Sequence, residues 1–401
     1  MRLITSISLA ILFSLVLFTA PDIYAALPGA RSETVSGDVF LGGDYIELGI
    51  SRYGSFGTDQ SKPAGFFGTA ARTNIGMSAD LDGFDTGTDW RMDYFMPGTR
   101  EERWGVGYTL GETQVTAANA KANGNLTGIS DNTVTNQSEG NVLQATSVGT
   151  LNSNLKTTQV ISFRSSDKFF RNTVTLENVS DSNTLTNVRF MRSFDPDNTV
   201  DKAGSYTTRN SIDFTHAAGD GKAVVQANTA NNANDPVYLG TGGADGGTRS
   251  PIFFYSSDSR ARVNHHTSLV PGTVYTASVY DSTNAKGTVA DRDAAISIAF
   301  DVGTLAPGES QTFVYYTSLD SRDFAEVEQE IQQDEAENAP VVSEPENETT
   351  SDSATVSWTT DIAASALIEY GLVPTYGFIT EEVNTDPLAT EHVITISNLK
   401  P

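Results

Sequence analysis

Residues 169–194 read FFRNTVTL (Phe169–Leu176), ENVSDSNT (Glu177–Thr184) and LTNVRFMRSF (Leu185–Phe194). The outer two runs mix Phe, Val and Leu with Thr and Asn, and the stretch between them is polar, rich in Asn, Asp and Ser. Successive side chains of a strand point to opposite faces, so short apolar–polar runs bounded by turn formers read as antiparallel strands. The same pattern recurs on both sides. Arg103–Thr109 (RWGVGYT) puts Trp104, Val106 and Tyr108 on one face, and Thr158–Arg164 (TQVISFR), Val274–Tyr280, Ala294–Val302 and Gln311–Thr317 repeat the habit. No stretch before residue 320 holds a helical period. Many short strands without helices between them predict an all-β fold, a large antiparallel β-sandwich with two big sheets over residues 27–320. Two polar stretches, Asn119–Gly140 and Asn228–Ser250, read as surface loops. The second carries TGGADGG at 241–247, which lacks the Lys-Ser/Thr ending of a phosphate loop.

Beyond the sandwich, Phe324, Val327 and Ile331 recur at spacings of three and four among Glu, Gln and Asp, which predicts a short amphipathic helix within 321–338. Two readings stand: an acidic helical linker between domains, or a terminal helix packed on the first domain. Residues 339–401 return to strands, with SATVSWT (353–359), SALIEY (365–370) and EHVITI (391–396).

The ends and the composition bound the setting. Met1-Arg2, an apolar run from Leu3 to Ala20, then Pro21 and the small pair Ala25-Ala26 have the build of a secretory signal peptide over residues 1–25. The expected location is secreted, extracellular or at the cell surface, and no second apolar run is long enough to span a membrane. The 401 residues carry a net charge of -25 and no cysteine. A surface so acidic repels phosphate backbones and disfavours nucleic acid as a partner, while it attracts divalent cations. Without cysteine there is no disulfide framework, thiol nucleophile or iron–sulfur ligand.

Residues 339–401 resemble a fibronectin type III domain. The resemblance rests on Pro340, the strand carrying Trp358, Thr360-Asp361, Ile368-Glu369-Tyr370-Gly371, Tyr376-Gly377 and the run from Glu391 to Pro401. It is closest to the variant that precedes purple acid phosphatases. It implies a two-sheet module with Trp358 as a buried anchor, and a chain that stops, at Leu399-Lys400-Pro401, before the family's last two strands. The expectation is a C-terminally truncated module in a fragment of a longer protein. The large region resembles, more loosely, bacterial surface β-sandwich proteins, through Asn172–Arg192 and through LAPGESQTF at 305–313.

No complete active site reads off these residues. No G-x-S-x-G elbow occurs, so a catalytic Ser–His–Asp set has no support. His265-His266 is the only close histidine pair, expected at the surface, and His392 is expected to be a solvated strand residue. Two acidic loops have the oxygen-rich character calcium prefers: Asp195, Asp197, Asn198 and Asp201, directly after a strong strand, and Asp80, Asp82, Asp85 and Asp89. Neither has EF-hand spacing, and Asp-rich turns also form without an ion. Tyr45, Tyr53, Phe56, Trp90, Tyr94 and Trp104 read as core rather than as a sugar-stacking platform. The sum is an exported binding, adhesion or display module with an extracellular ligand, carbohydrate or another surface protein, and with structural calcium as the candidate ion. The alternatives are the N-terminal part of an exported hydrolase (a metallophosphatase downstream or a carbohydrate-active enzyme) and a structural protein of an external layer.

Overall fold

The computed structural model describes residues 28–399 apart from 87–90, 123, 127–128, 203, 230–250, 268–269, 321, 323, 341, 365, 372–377, 382 and 385–388. The leader read at 1–25, Trp90 and nearly all of the Gly-rich stretch 228–250 lie outside the described residues.

Strands dominate. A nine-stranded antiparallel sheet runs, from edge to edge, Val289–Arg292, Thr208–Phe214, Ala223–Thr229, Ile252–Ser256, Ser310–Ser318, Phe169–Asn178, Leu155–Arg164, Val142–Leu151 and Ser130–Asn136. A six-stranded sheet runs Ala261–His265, Ile296–Leu305, Leu185–Phe194, Glu102–Leu110, Thr113–Ala122 and Gly124–Leu126. The two face each other across one apolar core. Phe300 of the smaller sheet stacks on Phe313 of the larger at 4.0 Å between centroids, and Phe190 meets Phe313 and Tyr315. Each such fully buried ring stabilises by roughly 1.5–3 kcal/mol relative to exposure. A third, five-stranded sheet from Arg31 to Asp93 shares this core through Val39, Leu41, Leu48 and Ile50. The fold is an all-β sandwich.

The strand pair that opens the sequence argument is not a hairpin. Phe169–Asn178 lies in the nine-stranded sheet between Leu155–Arg164 and Ser310–Ser318, and Leu185–Phe194 lies in the six-stranded sheet. The polar turn between them crosses from sheet to sheet. Asn178, fully buried, holds the crossing: its Nδ2 donates to Asn183 O (2.7 Å) and to Leu305 O (2.9 Å), and its Oδ1 accepts from Ser180.

Expectations are corrected at three places in the sandwich, and the helix takes the second of its two readings. Most of Asn119–Gly140 is strand, in Thr113–Ala122, Gly124–Leu126 and Ser130–Asn136; the last is a sheet edge whose polar residues are half-buried or exposed, while Asn119 is buried and donates to Tyr53 O. Val274–Tyr280 is a chain of turns. It lays Val274 and Val279 over Met191 and Ala299 on the outer face of the six-stranded sheet, an apolar spacing that mimics a strand. The helix, Phe324–Glu337, is not a free linker: Val327 and Ile331 are fully buried against Phe253, Tyr255 and Tyr316 on the outer face of the nine-stranded sheet. Tyr316 Oη donates to Asp334 Oδ2 at 2.8 Å, and Lys222 pairs with Glu328. The pair His265-His266 is not at the surface. His265 and His266 are each 5% exposed, and His266 uses both ring nitrogens on Ser278 and Ser297.

In the C-terminal part, Glu346–Thr349, Ser353–Ala364 and Ala389–Ser397 form a three-stranded antiparallel sheet. Trp358 is half-buried rather than a core anchor; it pairs across the sheet with His392 and stacks on its ring at 5.3 Å. Covered by that indole, His392 is 1% exposed and bonded at both nitrogens, to Thr360 and Asn384.

Candidate metal centre

The site begins where a strand pair ends. Leu185–Phe194 and Ile296–Leu305 run antiparallel with Phe194 opposite Ile296. Counting three residues outward along each chain puts 197 opposite 293. Pro196 has no N–H to continue the ladder, so pairing stops there. The freed backbone is caught by other elements: Asp195 N donates to Glu101 O (2.9 Å) and Asp197 N to Tyr94 O (2.7 Å). Asp293 arrives from the other side, on the short link between Val289–Arg292 of the nine-stranded sheet and Ile296–Leu305 of the six-stranded one. Three carboxylates thus meet at the seam of the two sheets, with one oxygen of each within 4.8 Å of the others.

Asp195 is 4% exposed, Asp197 is 2% exposed, and Asp293 is exposed at the mouth. Oδ1 of Asp195 and Oδ1 of Asp197 are buried without a hydrogen-bond partner. A buried, unpaired carboxylate oxygen costs several kcal/mol, so the arrangement calls for a proton or a cation. The titration behaviour agrees. Burial, then Asp293 and Glu101, push the Asp195 carboxyl up to about 7. Burial, then Asp195 and Asp293, push Asp197 up to about 9. Arg72 opposes the Asp197 shift, and its guanidinium is committed to Asp201 at 3.0 Å. The donor set is all oxygen. Oxygens at the 2.3–2.6 Å bonding distance of calcium lie no more than about 5 Å apart, which matches the trio. Nothing in it offers the nitrogen or sulfur that zinc and copper prefer. An Asp cluster here can hold a metal ion.

The sequence-derived candidates divide. Asp195 and Asp197 converge. Asp201 does not: it accepts from Arg72 and from Asp93 N, while Asn198, next to Asp197, donates its Nδ2 to Ala227 O. The other loop does not converge on a shared centre. Asp80 is buried, Asp82 and Asp85 are exposed, and the chain between them turns around Phe84, which packs on Phe67 at 5.3 Å. Asp89 lies outside the described residues. Asp293 was not legible as a ligand, because only the strand register brings it across from a position 96 residues beyond Asp197 (293 − 197).

No family profile matches this chain, and no curated protein matches it in sequence. Among solved structures, heparan sulfate lyase HepC from Pedobacter heparinus superposes with a TM-score of 0.33 at 8% identity, over 93% of this chain and 43% of that one. A heparinase III gives 0.23 at 9% identity over 91% and 43%, and a galactose mutarotase related enzyme from Lactobacillus acidophilus gives 0.26 at 10% over 71% and 98%. The chain therefore spans less than half the length of the two lyases, and superpositions this loose transfer neither residues nor chemistry.

Proposed function

We propose that the protein is an exported β-sandwich module that binds or displays at the cell surface and holds a calcium ion between Asp195, Asp197 and Asp293. The observation that carries the cation is the pair of buried, unpartnered oxygens on Asp195 and Asp197. The signal-like start and the acidic, cysteine-free composition support the exported setting. The fibronectin-like pattern of 339–401 fits such a module. In this reading the ion does structural work: it ties the end of the six-stranded sheet to the nine-stranded sheet and to the Glu101 segment, and so stiffens the seam.

The test is thermal melting of chelator-treated protein with and without calcium. Calcium at 100 times its dissociation constant adds about 2.7 kcal/mol to folding stability, and the melting temperature rises accordingly. Asp197→Asn loses that response. It also leaves the metal-free protein at least as stable as before, because a neutral isostere, unlike the carboxyl, has no proton to take up on folding. Melting that ignores millimolar calcium overturns the cation. For the module as a whole, an N-terminus near Ala26 in protein recovered from the medium or cell surface supports the reading, and hydrolytic turnover by residues 27–401 alone counts against it.

A further inference from the structure

A groove of about 500 Å³ lies apart from the three aspartates, lined among others by His216, Arg262, Tyr280, Ser282, Thr283 and Lys286. Its volume suits a ligand of one or two sugar rings. Its floor is built, not fluid: Tyr280 packs on the cluster of Met191, Val274, Val279 and Ala299, and its hydroxyl donates to Arg260 O at 3.1 Å.

Arg262 is the distinctive wall. The chain has 50 Asp and Glu against 25 Lys and Arg, so a carboxylate partner is easy to find. Arg262 nevertheless has none among the described residues. The neighbouring acids are taken: Asp258 pairs with Arg260, Asp281 with Arg189, and Asp220 with Lys286. Arg262 Nη1 is fixed by Ser259 O (3.0 Å) and Ala261 O (2.8 Å), and its guanidinium carbon lies over the Tyr280 ring, 5.2 Å from the centroid. What remains is the Nε–Nη2 edge, a planar fork of two parallel donors whose orientation is already set. That geometry matches a carboxylate held bidentately, and the ordering cost has been met by the fold. Ser282 and Thr283 add hydroxyls to the groove lining, suited to the hydroxyls of a sugar ring.

We propose that this groove binds a carboxylate-bearing saccharide, with Arg262 receiving the carboxylate and the 282–284 turn the ring hydroxyls. The proposal rests on reading the chain as a ligand-binding module and is independent of the cation, with which it shares no residue.

The experiment is calorimetric titration of the full chain with tri-galacturonic acid and with the neutral galactose trimer, beside a general glycan array. The acidic trimer is expected to bind and the neutral one to bind at least ten-fold more weakly. Arg262→Gln is expected to weaken the acidic trimer roughly ten- to hundred-fold, the worth of a charged bidentate contact. Should that variant melt early, Ser282→Trp, at an exposed position, fills the groove while leaving Arg262 unsubstituted and is expected to have the same effect. Equal binding of both trimers, or acidic binding that survives both substitutions, overturns the groove. Absence of acidic binding alongside a different glycan hit on the array also overturns it but leaves the module reading standing. A blank array together with blank titrations removes both.

Discussion

Two strand pairs of the same sandwich differ in how many of their faces are wet. Val142–Leu151 and Leu155–Arg164 pair along their full length, and their residues alternate strictly between buried and half-buried. Leu185–Phe194 and Ile296–Leu305 pair as well, but from Val188 to Phe194 and from Ile296 to Phe300 every residue is buried. The first pair has one face in water. The second has the shared core on one face and the 274–280 turns on the other. One pair buries only uncharged polar side chains, Ser147, Thr157 and Gln159. The other must bury polar groups wherever a charge falls on it, and there the structure places its paired Arg192 and, at its end, the aspartate trio.

The largest effect expected from this difference is at Arg192. It is 1% exposed, its Nε donates to Glu102 Oε1 at 2.6 Å, Nη1 reaches Gln159 of the opposite sheet, Nη2 reaches Gly54 O, and its guanidinium lies 4.1 Å from the Phe56 ring. Arg192→Met leaves the Glu102 carboxyl in the core with the Phe56 N–H and the more weakly acting charge of Arg103 to answer it. The expected loss is about 3–5 kcal/mol in urea unfolding. Burial already pushes the Glu102 carboxyl up to about 7, and without Arg192 it goes higher. The variant is therefore less damaged at pH 5, where the folded state holds Glu102 protonated, than at pH 8. A loss that is the same at both values contradicts this account.

The helix gives the next effect. Ile331→Ala empties a fully buried position between Tyr255, Tyr316 and Phe253 and is expected to cost about 2–4 kcal/mol. A free spacer loses almost nothing on the same substitution, so equilibrium unfolding decides between docking and spacing.

That ambiguity shows where the sequence stops. Apolar spacing at 324, 327 and 331 announces a helix and its sticky stripe but not the surface the stripe meets, which is composed of residues from strands far apart in the chain. Strands with one wet face were legible because alternation is a local signal. Ile252–Ser256 was not, since both faces are covered and IFFYS has no polar beat. The Phe169–Phe194 turn was legible as a turn but not as a crossing, because Asn178's bond to Leu305 lies 127 residues away in the chain. The metal centre was half legible for the same reason: Asp195 and Asp197 sit together in sequence, while Asp293 comes from the register of the paired strand.

The trio predicts a pH dependence of the metal-free protein. The folded carboxyls of Asp195 and Asp197 keep their protons to about 7 and about 9, against an ordinary value of 3.8. Over that window the folded state binds more protons than the unfolded chain, so unfolding releases protons and stability falls as pH rises. It is fully present below about pH 4 and is lost progressively up to about pH 9, as far as these groups decide it. Calcium replaces the protons, so its stabilisation is expected to be greater at pH 8 than at pH 5. Asp197→Asn flattens both trends. Melting across pH with a chelator and with calcium reads this directly, and a calcium effect that is larger at pH 5 contradicts it.

The smallest effect belongs to the wet pair and tests the comparison from its other end. Lys156 and Glu177 sit directly opposite on neighbouring strands, at 2.7 Å, with side chains 39% and 36% exposed. Geometrically this ion pair is as close as the one at Arg192. Water solvates both charges in the folded and the unfolded chain, so little is gained by pairing them and little is stranded by removing one. Lys156→Ala is expected to change stability by no more than about 0.5–1 kcal/mol, less in high salt, with no difference between pH 5 and pH 8. If Lys156→Ala costs as much as Arg192→Met, burial is not what separates the two strand pairs, and the polar groups of the covered pair lose the special weight given to them here.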